Sequence, residues 1–198
     1  MNELIAIVYF LYHNESESAI QNEATTLFVF DAILSKIMDN IIYNLDTGLK
    51  IKFGEIMLIL SVHDHDAFET LIKFKSDSFT FFTSWIILMF KRIYSDYENV
   101  MRLWDSLITG FNLAIAPEIK CHKLDSIICA ILASLACRFS NEGCNIFESV
   151  EIFLEANSDL SNDFTLHPDR IMQLVTDFYH REYFKGSDGK LFTILFSI

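Results

Sequence analysis

Two histidines and two aspartates stand consecutively near the middle of the chain, as His63, Asp64, His65 and Asp66. These residue types bind zinc, but a zinc site needs three or four side chains that converge on one point, supported by a second shell of partners. Consecutive residues point in different directions, and no further cluster of ligands accompanies them. We therefore predict no metal site, and interpret the segment as a solvated connection between two helices with Asp64 or Asp66 capping the second.

The other residues that could carry chemistry form no self-contained enzyme site. No C-x-x-C pair occurs among the four cysteines, which are Cys121, Cys129, Cys137 and Cys144. His122 follows Cys121, but this pair is as weak an indication of a metal site as the histidine–aspartate segment. Reduced buried thiols are favoured over disulfides or zinc. No nucleophile-elbow, zinc-protease, Walker or Rossmann motif occurs. We predict no catalytic residue and no cofactor.

Arg102, Trp104 and Asp105 fall within a stretch of clear helical spacing. The apolar residues of this stretch recur on one helical face, namely Tyr97, Val100, Trp104, Leu107 and Phe111. Glu98 precedes Arg102 by four residues, a spacing that allows an ion pair on the opposite face. From the residues alone, we expect Trp104 to lie in the core, and Arg102 and Asp105 to stabilise helices.

The charge of the chain limits its partners. It has 27 acidic and 15 basic residues, for a net charge of −12. Nucleic acids and anionic membrane surfaces bind basic footprints, so we expect neither as a direct partner, whereas a protein partner is compatible. No apolar run reaches the ~18 residues that a membrane-spanning helix needs. The longest runs, residues 79–90 and 127–137, are interrupted by Thr or Ser and predict buried helices.

Helices must position all of these residues. Six glycines and two prolines in 198 residues favour long helices over a many-stranded sheet. The periodicity predicts eight or nine helices with short connections. The predicted segments are residues 4–12, 23–44, 50–62, a helix carrying Phe68, Leu71 and Ile72, residues 79–94, a helix from the capping pattern at 95–98 to Gly110, residues 123–139, residues 146–155, and a last helix opened by His167, Pro168 and Asp169.

Three of these elements carry further expectations. Residues 4–12 are apolar on every side of a helix, so they need cover all round, and without it the chain will expose apolar surface. Gly48 is expected to end the helix that begins near residue 23. Residues 79–94 have the aromatic and β-branched content of a strand, but their length and the Lys91-Arg92 ending favour one buried helix with a basic last turn.

Four segments stand in an order that is similar to the C-terminal portion of a known helical domain. Met1, Asn2 and Glu3 precede an apolar helix and an acidic loop, and Asp39-Asn40 closes the next helix. Residues 79–94 contain Trp85, and residues 102–107 read R-L-W-D-S-L. The set resembles the Y-x-Q-G-M-N, D-N, F-x-F-R-W…R-E-F and R-[LIV]-W-D-x-L blocks of the TBC domain, the helical module of Rab GTPase-activating proteins.

The resemblance has direct implications for fold and partners. It implies an all-α, multi-helix orthogonal array over residues 1–180, with residues 181–198 as an unassigned tail. A Rab-type small GTPase in its GTP-bound form is the implied partner, with Asn2 near it. The implied role is in vesicle traffic, in the cytoplasm and peripheral to endomembranes through the partner. The family-signature residues are expected to be structural: Met1, Trp85, Arg102, Trp104 and Asp105.

The same resemblance implies that the family's catalytic groups are missing from these residues. TBC domains supply an Arg and a Gln to the GTPase. The I-x-x-D-x-x-R block that carries the Arg is not found, and the Gln of Y-x-Q would fall before residue 1. Ser84 and Ile7 also stand where the family has a basic residue and a Pro. We expect no GTPase activation by residues 1–198.

Three interpretations stay open, in this order of preference. The first is part of a Rab-GAP TBC domain that is active only in a longer protein. The second is a non-catalytic TBC-like module that binds a small GTPase or another protein. The third is an unrelated helical protein, such as a fragment of a membrane protein, with chance motif matches.

Overall fold

The computed structural model describes residues 2–37, 41, 44–73, 80–94, 96–109, 124–138 and 167–185. These residues form eight α-helices and a 3₁₀ turn, with no strand among them, so the predicted all-α fold class is confirmed. The elements are α1 (Asn2–Tyr12), α2 (Ala19–Ile37), α3 (Leu45–His63), α4 (His65–Lys73), α5 (Thr80–Ile87), the 3₁₀ turn (Lys91–Ile93), α6 (Tyr97–Thr109), α7 (Leu124–Cys137) and α8 (Pro168–Lys185). None of the described helices is long and apolar enough to cross a bilayer.

Helix α7 lies at the centre of the described fold. Every side chain from Leu124 to Ser134 is buried, as expected for a helix that is apolar nearly all round. Helices α3, α4, α5 and α8 all contact it. A second set of contacts surrounds α6, which packs against α2 and α8, while α1 packs against α2. The helix predicted at 123–139 is confirmed over residues 124–137.

A buried ion pair joins α3 to α7. Lys52 Nζ lies 2.8 Å from Asp125 Oδ1 and 3.5 Å from Glu55 Oε2, and both Lys52 and Asp125 are buried. Ser126 Oγ donates a 2.7 Å hydrogen bond to Glu55 Oε2. Buried charges are tolerated when they are paired and hydrogen-bonded. The polar residues at the start of α7 therefore fix where α3 lies along it.

Two helix starts differ from the prediction because side-chain caps decide them. Helix α2 begins at Ala19 rather than near residue 23, because Ser18 and Gln21 form a capping box: Ser18 N donates to Gln21 Oε1 (2.9 Å) and Gln21 N to Ser18 Oγ (3.3 Å). Helix α3 begins at Leu45 because Asn44 Oδ1 accepts from Thr47 N at 3.2 Å. The prediction that Gly48 ends a helix is wrong, since Gly48 lies buried inside α3.

The region predicted as one helix over 79–94 is broken, and that prediction is wrong. Helix α5 ends in a Schellman motif, in which Phe90 N donates to Trp85 O (2.8 Å) and Met89 N to Ile86 O (3.1 Å). Met89 and Phe90 have positive φ angles of 47° and 63°. The usual glycine at this position is missing, so the sequence carries no stop signal. The 3₁₀ turn follows directly.

Apolar periodicity overestimates how much of each helix is covered. Tyr97, predicted on the apolar face of its helix, is 54% exposed, and the apolar residues Leu27 and Ile72 are 62% and 49% exposed. Helix α1 is covered in part: the early residues Leu4, Ile7 and Val8 are buried, whereas the last turn is exposed at Tyr9, Phe10, Leu11 and Tyr12. Exposed apolar side chains in such a group are typical of interaction surfaces.

Other predictions have mixed outcomes. Pro168 is the first residue of α8, as predicted, and its apolar face is buried at Ile171, Val175 and Phe178. Asp96 Oδ1 caps α6 by accepting from Glu98 N at 2.9 Å. Several predicted features lie outside the described residues, namely Met1, Asp39-Asn40, Ser95, Gly110, Phe111, Cys121, His122, Cys144, the helix at 146–155 and the tail from residue 186.

The buried ion pair predicts that replacing Lys52 lowers the stability of the fold much more than replacing a lysine at the surface. Lys52→Met leaves Asp125 and Glu55 without their cation, and we expect a loss of about 3–5 kcal/mol in the free energy of unfolding. Lys50→Met is the matched control, because Lys50 pairs with Asp46 at the surface (2.6 Å, with Lys50 72% exposed). That pair should contribute about 0.5 kcal/mol or less. Urea unfolding measures both, and equal losses would contradict the role of the buried pair.

The same pair predicts a loss of stability at high pH. Burial by itself lowers the pKa of Lys52, but the charges of Asp125 and Glu55 outweigh it and raise the pKa above 10.5. A raised pKa in the folded state gives stability that is complete below the unfolded value and is lost as pH rises through the folded value. The difference between wild type and Lys52→Met should therefore shrink above about pH 10.5.

Candidate functional site

The first turn of α1 carries the one residue predicted to approach a partner. Asn2, the first residue of α1, is exposed. Its neighbour Glu3 reaches the 3₁₀ turn, where Glu3 Oε1 lies 2.6 Å from Arg92 Nη2 and Glu3 Oε2 lies 3.6 Å from Lys91 Nζ. The start of α1 and the 3₁₀ turn thus form one polar surface, which we call the α1 entry surface (Asn2, Glu3, Lys91 and Arg92).

The acidic and basic side chains of the α1 entry surface form ion pairs with one another. The hydrogen bond from Arg92 is the main cause that lowers the pKa of Glu3, with the charges of Arg92 and Lys91 acting in the same direction against partial burial. Glu3 in turn raises the pKa of Arg92. Because the Arg92 side chain is 61% exposed, this pair is a surface pair that a competing anion can open at small cost.

Trp104 determines where the 3₁₀ turn lies. Its indole Nε1 donates a 2.8 Å hydrogen bond to the carbonyl oxygen of Met89, the first residue with positive φ. Trp104 is 1% exposed, and Trp85, one turn before the break in α5, is 3% exposed, so the predicted burial of both signature tryptophans is confirmed. The bond holds the end of α5 on α6 and so places Lys91 and Arg92 beside Glu3.

Arg102 joins α6 to α8. Its Nε lies 2.6 Å from Asp169 Oδ1, and His167 Nδ1 lies 3.7 Å from the other carboxylate oxygen of Asp169. The predicted pair of Arg102 with Glu98 is therefore wrong: α8, which sequence spacing within one helix cannot reveal, supplies the partner. Asp105 is exposed, and its carboxylate has no basic partner among the described residues.

A groove lies between α1, α6 and the start of α8. It encloses about 500 Å³. Ile7, Phe10 and Leu11 of α1 form one wall, and the other wall consists of six residues of α6: Tyr97, Glu98, Asn99, Met101, Arg102 and Asp105. Asn2 does not line it: eight residues separate Asn2 from Phe10, or about 12 Å along a helix. The groove and the α1 entry surface therefore occupy opposite ends of α1.

The histidine–aspartate segment is a helix connection with a tertiary role. Asp64 Oδ1 accepts from Ala67 N at 3.1 Å and so caps α4, as predicted. Its other oxygen accepts a hydrogen bond from Ser134 Oγ in α7, and Arg138 Nη2 lies 3.6 Å away. The expectation of a fully solvated segment is wrong for Asp64, because its side chain is only 17% exposed.

Metal and thiol chemistry find no support in the described parts of the chain. No group of three or more His, Cys, Asp or Glu side chains there could hold a metal ion. Cys129 is buried and Cys137 partly buried, and both are free thiols. Burial raises the pKa of Cys129 well above its usual value and that of Cys137 to about 11. Neither thiol is activated as a nucleophile, since the thiolate is the reactive form.

A comparison with known protein families identifies the family of this chain. The family model described as the Rab-GTPase-TBC domain matches residues 1–137, from the α1 entry surface to the end of α7. The chain belongs to the Rab-GTPase-TBC domain family. The resemblance of the sequence to TBC domains is thereby confirmed, and the family is one of GTPase activators. Neither the curated proteins nor the solved structures provide a match to the chain.

Sequence reasoning missed three features of this TBC domain. The Glu3–Arg92 pair joins residues 89 positions apart, and the Lys52–Asp125 pair joins residues 73 apart. Neither distance leaves a local pattern. The groove was missed as well. A signal for it was present, since residues 4–12 are apolar on every side of a helix. Such a helix leaves apolar surface uncovered unless neighbours surround it.

The burial of Trp104 and its hydrogen bond predict that replacing this residue greatly lowers the stability of the TBC domain. Trp104→Ala should lower the free energy of unfolding by about 3–5 kcal/mol, because it leaves a large cavity. Trp104→Phe retains most of the ring but leaves the Met89 carbonyl unpaired, and should cost about 1–3 kcal/mol. Tyr97→Ala, an exposed aromatic on the same helix, should cost about 1 kcal/mol or less. Chemical unfolding distinguishes the three, and a near-zero loss for Trp104→Ala would contradict its buried position.

The hydrogen bonds that the Asp64 carboxylate accepts predict that the fold loses stability in acid. Burial tends to raise the pKa of Asp64, but the hydrogen bonds from Ser134 and Ala67 and the charge of Arg138 lower it below 3.8. The stabilisation is therefore present above the unfolded pKa and is lost as pH falls through the folded pKa. Asp64→Asn should cost about 1 kcal/mol near neutral pH, a value reduced for solvent access, and the cost should shrink as the pH falls below 3.8. Asp66→Asn, at an exposed position, is the matched control and should cost less at neutral pH.

Proposed function

We propose that this TBC domain binds a Rab-type small GTPase in its GTP-bound form, and that residues 1–198 alone do not accelerate its GTP hydrolysis. The observation that carries the proposal is the combination of family membership with a sequence in which neither finger motif occurs. The proposed role is the regulation of small GTPases in vesicle traffic, in the cytoplasm, with contact to endomembranes through the GTPase.

The α1 entry surface is the proposed place of contact. Asn2 is exposed there, and Arg92 offers a guanidinium that is 61% exposed. Anionic groups on a partner, including nucleotide phosphates, are attracted by such a group and can exchange with Glu3, because exposed ion pairs contribute little to stability. Asn2 can add a hydrogen bond without a charge.

Binding without activation follows from the chemistry of GTP hydrolysis. An activator lowers the barrier by orienting the attacking water and by placing an Arg against the transferred phosphoryl group, a contribution of about 10³–10⁵ in rate, or about 4–7 kcal/mol. Arg92 and Arg102 both lie on the described surface, where they pair with Glu3 and Asp169 respectively. Neither belongs to the family's Arg-finger motif.

The extent of the domain is part of the proposal. The matched family region ends at residue 137, but α8 packs on both α6 and α7, and Ile171, Val175 and Phe178 are buried. A helix that completes the cover of α7 belongs to the same folding unit. We propose that the domain runs from residue 1 to about residue 180, with residues 181–198 as a tail.

Single-turnover GTP hydrolysis by a panel of Rab proteins tests the catalytic part. We expect the hydrolysis rate to be unchanged when the chain is added. An increase of about 100-fold, comparable with the effect of one positioned catalytic donor, would contradict the proposal, and Arg92→Ala and Arg102→Ala would then show which arginine replaces a finger. A longer protein that includes both finger motifs should activate; if it does not, the chain is a non-catalytic interaction module.

Binding to the same panel tests the partner separately from catalysis. We expect at least one Rab protein to bind more tightly with a GTP analogue than with GDP. Asn2→Ala should weaken that binding by about threefold to tenfold, as loss of one hydrogen bond does. Thr25→Ala is the matched control, because Thr25 is an exposed polar residue of α2. No binding to any member of the panel would refute the proposed partner.

A further inference from the structure

The walls of the groove between α1, α6 and α8 carry apolar side chains that nothing in the described fold covers. Phe10 and Leu11 of α1 are 75% and 43% exposed, and Tyr97 of α6 is 54% exposed. The rings of Phe10 and Tyr97 are stacked, with centroids 6.2 Å apart and planes inclined by 24°. This places them within the range of favourable aromatic pairs, so an aromatic contact joins the two walls of the groove.

The rim of the groove is acidic. Glu98 and Asp105 both line it and are exposed, and neither carboxylate has a basic partner among the described residues. Arg102 is the basic residue of the rim, and Asp169 neutralises it at 2.6 Å. Apolar walls beside uncompensated negative charge are complementary to a segment that has apolar anchors and positive charge.

The walls of the groove determine the form of that segment. Both long walls are helices, whose backbone groups are hydrogen-bonded internally, so they offer no edge to which an extended strand could pair. A helix satisfies its own backbone and needs only side-chain contacts. A volume of about 500 Å³ is of the size that accommodates a few large side chains, as the anchors at i, i+3, i+4 and i+7 of an amphipathic helix would require.

We propose that the groove between α1, α6 and α8 is a docking site for a basic amphipathic helix of a partner protein. Apolar residues of the helix pack against Phe10, Leu11 and Tyr97, and its Lys or Arg residues lie beside Glu98 and Asp105. The site is separate from the α1 entry surface and does not depend on the proposed binding of a GTPase, because it shares no residue with that surface.

Three designed peptides test the proposal on the full chain. Each is a labelled helix of about four turns. The first has Leu at i, i+3, i+4 and i+7 with Lys and Ala elsewhere; the second replaces Lys by Glu; the third keeps Lys but replaces Leu by Ser. Fluorescence anisotropy should show binding of the first peptide with a Kd on the order of 10 μM, weakening as salt rises. The other two should bind at least about tenfold more weakly.

Variants of the protein locate the bound peptide. Phe10→Ala should weaken binding of the first peptide by about tenfold, the expected effect of losing one buried aromatic contact. Phe28→Ala is the matched control, since Phe28 of α2 is equally exposed (79%) but lies outside the groove. The double variant Glu98→Gln, Asp105→Asn should also weaken binding of the first peptide and reduce its salt dependence. Circular dichroism establishes that each variant is folded.

Several outcomes would overturn the proposal. Equal binding of the basic and the acidic peptide would remove the charge complementarity, and equal binding of the Ser peptide would remove the apolar anchors. An equal loss in Phe10→Ala and Phe28→Ala would show that the peptide binds elsewhere or diffusely to a chain of net charge −12. Self-association by sedimentation that Phe10→Ala abolishes would assign the groove to a second copy of this chain instead.

Discussion

The burial of α7 on all sides is the constraint on which the other helices depend. A helix with no solvated face can be stable only if neighbours cover every side of it, and α3, α4, α5 and α8 do so. Apolar cover alone would let these helices slide. The polar groups of α7 prevent this, because Asp125 must meet Lys52 and Ser134 must meet Asp64. Apolar burial supplies the stability, and the buried polar pairs select one arrangement.

The α1 entry surface depends on a second, smaller constraint. A residue in the left-handed region costs about 1–2 kcal/mol when it is not glycine, and both Met89 and Phe90 adopt it. Their side chains are almost completely buried, and the Met89 carbonyl accepts from the Trp104 indole. These interactions offset the strain. The signature tryptophan thus acts on the surface indirectly, by fixing the turn that presents Lys91 and Arg92.

The sequence predicted those parts of the fold that local chemistry determines. The all-α class, the helix α7, the Pro168 start of α8 and the burial of Trp85 and Trp104 all follow from periodicity or composition. The break at Met89 could not be predicted, because the glycine that would mark it is replaced by tertiary contacts. The partner of Arg102 could not be predicted either, since Asp169 lies 67 residues away and Glu98 offered a plausible local alternative. In the α1 entry surface, the family motif predicted the role of Asn2, but nothing in the sequence predicted the Glu3–Arg92 pair beside it.

Helix α1 shows why an apolar sequence need not mean a wholly buried helix. Its first two turns bury Leu4, Ile7 and Val8 in the core, while its last turn projects Phe10 and Leu11 into the groove. Replacing those exposed side chains by polar ones would cost the described fold little, so their contribution to its stability does not explain why the turn is apolar. Contact with another molecule does explain it, because exposed aromatic side chains gain free energy when a partner covers them. The acidic residues at the rim then favour a partner of opposite charge.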